Sequence, residues 1–241
     1  MMRRLTLILL VLLFPSLAAC RSPSPAQIGE TAEVSPAAET SPRAPAILPP
    51  PQTPGEYLPA ACRFVLPQDL VEGVDVECGY LTVPEQRSTT SVHTGRLIRL
   101  AVAIFHPPGG AVYPDPVIFL TGGPGFSAME AMYYQFEALS EAPFVAGRDL
   151  VVFDQRGIGL SQPALDCPGY DRFALESLRL QAEGQALDDQ QMLELTLEQI
   201  EICRSTLVGI ADLSAYHTAA SAADVNDLRL ALGYEQINLW G

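Results

Sequence analysis

Residues 116–125 read PVIFLTGGPG, a continuous apolar run that ends in a glycine-rich turn. An apolar run of this length is typical of a strand that is buried on both faces of a sheet. The composition of residues 127–140 predicts a helix directly after the turn. Strands that alternate with helices predict an α/β fold with a mostly parallel, doubly wound sheet, in which ligands bind at the carboxyl ends of the strands.

The same arrangement of a strand followed by a glycine occurs twice more. Residues 150–159 read LVVFDQRGIG, and residues 236–241 read QINLWG. Because the carboxyl ends of parallel strands lie at one edge of a sheet, we expect Gly123, Gly157 and Gly241 to gather around one site.

Outside these segments the sequence predicts a hairpin and two longer helices. Runs rich in β-branched residues over 74–83 and 97–105 predict paired strands. The spacing of Ser221 and Asp224 predicts a capping box at the start of the last helix, and Gly233 predicts its end. A helix over 187–207 is predicted from apolar residues on one face, namely Leu193, Leu197, Ile200 and Leu207.

The first twenty residues read MMRRLTLILLVLLFPSLAAC. The apolar run over 5–14 is too short for a hydrocarbon core of about 30 Å, so it predicts a secretory signal and not a transmembrane anchor. The ending at Cys20 resembles a bacterial lipobox, which implies removal of residues 1–19 and attachment of lipid to Cys20. Several acyl chains would hold the exported protein at the outer face of the cytoplasmic membrane. An ordinary signal peptide with an incidental cysteine is the alternative.

Proline dominates the stretch that follows. Ten of the forty residues from 21 to 60 are proline, so we expect a disordered tether. The predicted organisation is a signal peptide over 1–19, a lipidated tether over 20–56 and an incomplete folded domain over 57–241.

Four further cysteines in an exported chain favour disulfides, although the sequence leaves three pairings open. The pairs 62–78 and 167–203 are favoured because they join neighbouring cysteines: Cys62 with Cys78, and Cys167 with Cys203. The chain has no Cys-x-x-Cys spacing and no nearby histidine pair, so we expect no metal site.

Composition excludes two classes of protein. The chain has 28 acidic and 14 basic residues and a formal net charge of −14. This charge excludes a nucleic-acid binder that neutralises phosphates. Apolar residues make up 48% of the chain, which excludes global disorder.

Taken in order, the motifs Gly122-Gly123-Pro124-Gly125, DQRGIGLS over 154–161 and NLWG over 238–241 resemble those of the α/β-hydrolases. The resemblance covers roughly residues 62–241. Within this family the motifs resemble most those of the prolyl iminopeptidase-like branch, especially its exported tripeptidyl aminopeptidase-like serine peptidases. Thr121 stands where iminopeptidases of this branch usually have histidine.

The resemblance implies roles for these residues. The backbone N–H of Gly123 would donate to an oxyanion, and Gly122, Pro124 and Gly125 would shape that turn. A structural turn under the site would contain Asp154, Arg156 and Gly157.

If Gly241 is the first glycine of the motif Gly-x-Ser-x-Gly, the nucleophile is the second residue beyond it. The acid and histidine of the triad come later still in this fold. Ser127 and Ser161 lack the context of a nucleophile. Three histidines precede the expected nucleophile and are therefore excluded as its base: His93, His106 and His217.

We therefore expect the N-terminal part of a serine hydrolase that cleaves short peptides from their N-terminus and is inactive without its triad. No organic cofactor is implied, and the substrate is a peptide or a small ester. A carboxylesterase of the same fold is the alternative.

Two functions of other classes remain as alternatives. The spacing Gly123-x-Gly125-x-x-Ala128 also fits a dinucleotide fingerprint, with Asp149 or Asp154 as the ribose-binding acid. A non-catalytic, surface-anchored binding module is the other.

Overall fold

The computed structural model describes residues 49–67, 69–87, 95–123 and 125–241. The predicted signal peptide, Cys20 and the tether as far as residue 48 lie outside these ranges, as do Pro124 and His93. Within them, no helix is long and apolar enough to cross a membrane.

Strands and helices alternate along the described part of the chain, which confirms the predicted α/β class. The strands are β1 (Tyr57–Pro59), β2 (Val76–Pro84), β3 (Leu97–Phe105), β4 (Val117–Phe119), β5 (Leu150–Phe153) and β6 (Asn238–Trp240). The helices are α1 (Ala128–Ser140), α2 (Pro168–Ala182), α3 (Asp189–Leu207) and α4 (Thr218–Ala231), with a short 3-10 turn at Leu213–Ala215.

One sheet contains all six strands in the order β1-β2-β3-β5-β4-β6. The pairs β1–β2, β2–β3 and β3–β5 are antiparallel. Strand β4 lies between β5 and β6 and is parallel to both. The carboxyl ends of β4, β5 and β6 therefore lie at the same edge of the sheet.

Apolar side chains cover both faces of the central strands, as the apolar runs predict. Val117 and Phe119 face a cluster that includes Met129 and Met132 of α1. Ile118 faces the opposite cluster, which includes Leu228 of α4. A strand that is buried on both faces needs apolar residues at successive positions, and this explains why β4 and β5 show no alternation with polar residues.

The helices α2 and α3 form a hairpin that buries little. In α2 no residue is buried, and in α3 only Leu207 is. The apolar face predicted on α3 exists, but Leu193, Leu197 and Ile200 are about half exposed. The sequence analysis did not predict the helix α2.

The start of α4 corrects one prediction. The helix begins at Thr218, and its N-cap is His217, whose ring nitrogen Nδ1 accepts from the N–H of Ala220 at 3.3 Å. Ser221 therefore lies inside the helix, and Asp224 is fully buried. The predicted capping box is wrong because the core uses the Asp224 carboxylate for a different contact. Gly233 does end α4, with a φ of 78°.

Candidate active site

The ends of the three parallel strands contact each other. The N–H of Leu120 donates to the carbonyl oxygen of Trp240 at 2.8 Å. A Cβ added at Gly241 would lie 2.6 Å from the carbonyl oxygen of Leu120, so only glycine fits there without a shift. The Nε2 of Gln155 donates to the carbonyl oxygen of Thr121 at 3.2 Å, which brings the end of β5 to the same place.

The glycine turn after β4 is exposed. Gly123 has a φ of 152°, and a Cβ there would meet the ring of Phe126 at 2.8 Å. Among the residues that the structure describes, no oxygen accepts the N–H of Gly123. An exposed N–H without an acceptor can donate to an oxygen of a bound substrate, as an oxyanion donor must. Gly122 and Gly125 are exposed beside it.

The turn is joined to the core through Ser127 and Asp154. Ser127 is the N-cap of α1, and its hydroxyl lies 2.9 and 3.0 Å from the two carboxylate oxygens of Asp154. Asp154 is fully buried. Burial raises its pKa, and hydrogen bonds from Leu160, Met129, Ser127 and Ala128 act in the opposite direction.

The Arg156 side chain is 1% exposed, and the partners of its guanidinium lie outside the glycine turn. Its Nε and Nη2 atoms each lie 2.7 Å from a different oxygen of Asp224. Its other contacts are to carbonyl oxygens, at 2.7 Å from Glu85, 2.8 Å from Ala215 and 3.3 Å from Pro84. All five N–H donors of the guanidinium therefore have an acceptor.

Gly157 lies on the same side as Arg156. A Cβ at Gly157 would lie 2.9 Å from the side chains of Leu165 and Tyr216. The turn after β5 thus divides into two parts: Asp154 supports the start of α1, whereas Arg156 and Gly157 contact elements on the other side of the sheet.

The hydroxyl of Ser161 links two strands. It donates to the carbonyl oxygen of Asp154 at 2.6 Å and accepts from the N–H of Ala101 at 3.0 Å, and the residue is 2% exposed. A hydroxyl that is buried and used in this way is structural, and it cannot reach a substrate.

His106 lies at the opposite edge of the sheet. It follows the carboxyl end of β3, which is antiparallel to β5, and its Nδ1 is 2.8 Å from Oδ1 of Asp149. Tyr234 donates to the other oxygen of Asp149 at 2.9 Å. This histidine therefore does not face the glycine turn.

Both favoured cysteine pairs form disulfides in the structure. Cys62 and Cys78 join the segment before β2 to that strand, with Cα atoms 5.1 Å apart. Cys167 and Cys203 join the two helices of the α2–α3 hairpin, with Cα atoms 5.6 Å apart. Among the described residues, no hydrogen bond joins the cysteines of either disulfide to the glycine turn.

Asp224 and Gln155 are the supporting residues that sequence reasoning missed. An arginine in a buried turn requires an acceptor, but nothing local identifies a carboxylate 68 residues away. Gln155 stood within the motif without an assigned role.

A family model described as the alpha/beta hydrolase fold matches residues 115–241, more than half of the chain. Serine protease Hip1 of Mycobacterium tuberculosis is 30% identical over 192 residues, which cover 78% of this chain and 34% of that protein. Carboxylesterase B of the same species is 30% identical over 122 residues, covering 48% of this chain and 22% of that protein. The putative hydrolase YuaR of Escherichia coli is 26% identical over 164 residues, covering 66% of this chain and 30% of that protein. The chain therefore spans about a third or less of the length of these relatives.

Proposed function

We propose, from the premise that the chain belongs to the alpha/beta hydrolase fold family, that the whole protein is a serine hydrolase that cleaves short peptides from their N-terminus. The observation that carries the proposal is the meeting of three strand ends, where the exposed glycine turn that begins at Thr121 lies beside Gly241. Relatives named as a serine protease and as a carboxylesterase support the transfer of an acyl group to water.

The proposed reaction needs a serine two positions after Gly241 in the whole protein. The serine oxygen attacks the substrate carbonyl carbon while a histidine takes the serine proton and later gives it to the leaving amine. The carbonyl oxygen gains negative charge in the tetrahedral intermediate. The N–H of Gly123 and the N–H that follows the serine would donate to this oxygen. Water then releases the acyl group from the serine by the same steps.

The coding sequence past the codon for Gly241 provides the first test. We expect it to continue as x-Ser-x-Gly, with an aspartate or glutamate and then a histidine further on. An immediate stop codon would contradict the proposal and support a binding module.

Activity of the purified whole protein provides the second test. We expect release of nitroaniline from aminoacyl and tripeptidyl p-nitroanilides, and loss of that release when the expected serine is replaced by alanine. Residues 1–241 by themselves, as the matched control, should hydrolyse neither substrate above a blank. No hydrolysis by the whole protein would overturn the proposal.

An esterase is the second candidate function, because one relative is named Carboxylesterase B. The ratio of kcat/KM for a p-nitrophenyl ester to that for the matched anilide decides between the two. A peptidase retains efficient anilide hydrolysis, whereas an esterase cleaves only the ester.

We further propose that the protein is exported and held at the membrane by lipid on Cys20. Cells fed labelled palmitate should label the protein, and the Cys20→Ala variant should lose the label and leave the membrane fraction. The Ser22→Ala variant is the matched control and should keep both. A labelled Cys20→Ala protein would refute the lipid site.

A further inference from the structure

Two consecutive residues at the end of β5 hold the two ends of the glycine turn. Gln155 donates to the carbonyl oxygen of Thr121, which is the first residue of the turn. The Asp154 carboxylate accepts from the hydroxyl of Ser127, which is the last. Between these two contacts the described residues are exposed. The conformation of the turn therefore depends on its ends.

The backbone of Asp154 is fixed to the sheet. Its N–H donates to the carbonyl oxygen of Ala101 at 3.0 Å, and its own carbonyl oxygen accepts from Ser161 at 2.6 Å. The carboxylate also accepts from the N–H of Met129 at 3.2 Å and from that of Leu160 at 2.8 Å. A side chain held from both sides can transmit the position of the sheet to the start of α1.

The backbone at Gly159 lies close to the Asp154 carboxylate. A Cβ at Gly159 would lie 2.2 Å from Oδ2 of Asp154 and 2.8 Å from the Cβ of Ser127. The chain therefore passes close over the contact between Asp154 and Ser127 and encloses it.

We propose that Asp154 is a positioning residue for the oxyanion donor: its buried carboxylate sets the glycine turn so that the N–H of Gly123 meets the developing negative charge. This inference rests on the proposed function. A group that only sets the direction of an oxyanion donor affects the transition state more than the bound substrate, so it should act on kcat and not on KM.

Glu85 provides a matched control. It is a buried carboxylate, 3% exposed, that accepts from the hydroxyl of Tyr216 and from the N–H of Asp212, and its other oxygen lies 3.6 Å from the Nε of Arg96. Among the described residues it makes no hydrogen bond or ion pair with the turn over 121–127. A Glu85→Gln variant therefore removes a comparable buried charge without loosening the turn.

The experiment uses the whole protein with the Asp154→Asn and Glu85→Gln variants. For Asp154→Asn we expect kcat to fall by about 10- to 100-fold with little change in KM, since a donor displaced by a fraction of an ångström loses much of its effect. The inhibition constant of a peptidyl boronic acid, which forms a tetrahedral adduct, should rise by the same factor. Glu85→Gln should lower the melting temperature and leave kcat within about twofold of the wild type.

Each failure has a distinct meaning. If the wild-type protein hydrolyses nothing, the proposed function falls and the role of Asp154 falls with it. If the wild type is active and Asp154→Asn keeps its kcat, or if Glu85→Gln loses as much, only the role of Asp154 is overturned. Should Asp154→Asn fail to fold, Ser127→Ala breaks the same contact more mildly, and an unchanged kcat for that variant would overturn the inference.

Discussion

Replacing Arg156 by alanine removes the donor of five hydrogen bonds from a site that is 1% exposed. Among the described residues, the change leaves the fully buried carboxylate of Asp224 with Arg87 as its one remaining cationic partner, and the Arg87 side chain is 21% exposed. It also leaves the carbonyl oxygens of Glu85 and Ala215 without this donor.

Breaking a buried ion pair by removing one partner costs about 3–5 kcal/mol, because the other charge stays in the core. For a domain of this size each kcal/mol lowers the melting temperature by about 2–4 °C, so Arg156→Ala should lower it by about 6–20 °C. Circular dichroism at 222 nm during heating, with urea unfolding as a second measurement, gives the free energy of unfolding.

Two further variants separate charge from geometry. Arg156→Lys keeps the charge but cannot make the two parallel contacts to Asp224, so its loss should fall between those of the wild type and the alanine variant. The double variant of Arg156→Ala with Asp224→Ala should lose less than the sum of the two single variants, because the buried carboxylate that lost Arg156 is also absent. A loss below about 1 kcal/mol for Arg156→Ala would refute the reasoning, since that is the range of exposed pairs.

Three other changes test the supporting contacts. Gly159→Ala should lower the free energy of unfolding, measured by heating, by about 1–3 kcal/mol more than Gly184→Ala does. Both glycines have a positive φ, but only a Cβ at Gly159 would meet Asp154. Equal losses of stability for the two variants would exclude this crowding. Ser161→Ala should lower the free energy of unfolding by about 1–3 kcal/mol and leave the whole protein active, and complete inactivation would instead make Ser161 the nucleophile. Burial raises the pKa of three tyrosine hydroxyls, that of Tyr57 to about 12. The stability that these neutral hydroxyls contribute is complete below pH 10, the pKa in the unfolded chain, and should be lost as the pH rises towards the raised pKa values of the folded protein. Absorbance at 295 nm that shows all tyrosines of the folded protein ionising together near pH 10 would contradict this. The three are Tyr57, Tyr216 and Tyr234.

Sequence patterns identified the elements that carry the site. The apolar runs of β4 and β5 need no partner to be recognised, because burial on both faces requires apolar residues at successive positions. The glycines after each strand are recognisable for a similar reason: the conformation of Gly123 and the close approach at Gly241 are requirements of the backbone itself.

Local spacing was a poor guide where the core offered a different use for a side chain. Ser221 and Asp224 have the spacing of a capping box, yet the helix starts earlier and Asp224 pairs with Arg156. The apolar face of α3 illustrates the same limit, since periodicity shows which residues share a face but not whether another element covers it.

By itself the sequence determined the order of β2 to β6 with α1, α3 and α4, and the three glycine motifs, because these depend on short windows of chain. Only the tertiary structure decided that Asp154 holds Ser127, that Arg156 holds Asp224, and that Ser161 is enclosed between strands. Contacts between residues far apart in the chain depend on how the sheet brings their segments together, and no local pattern records that.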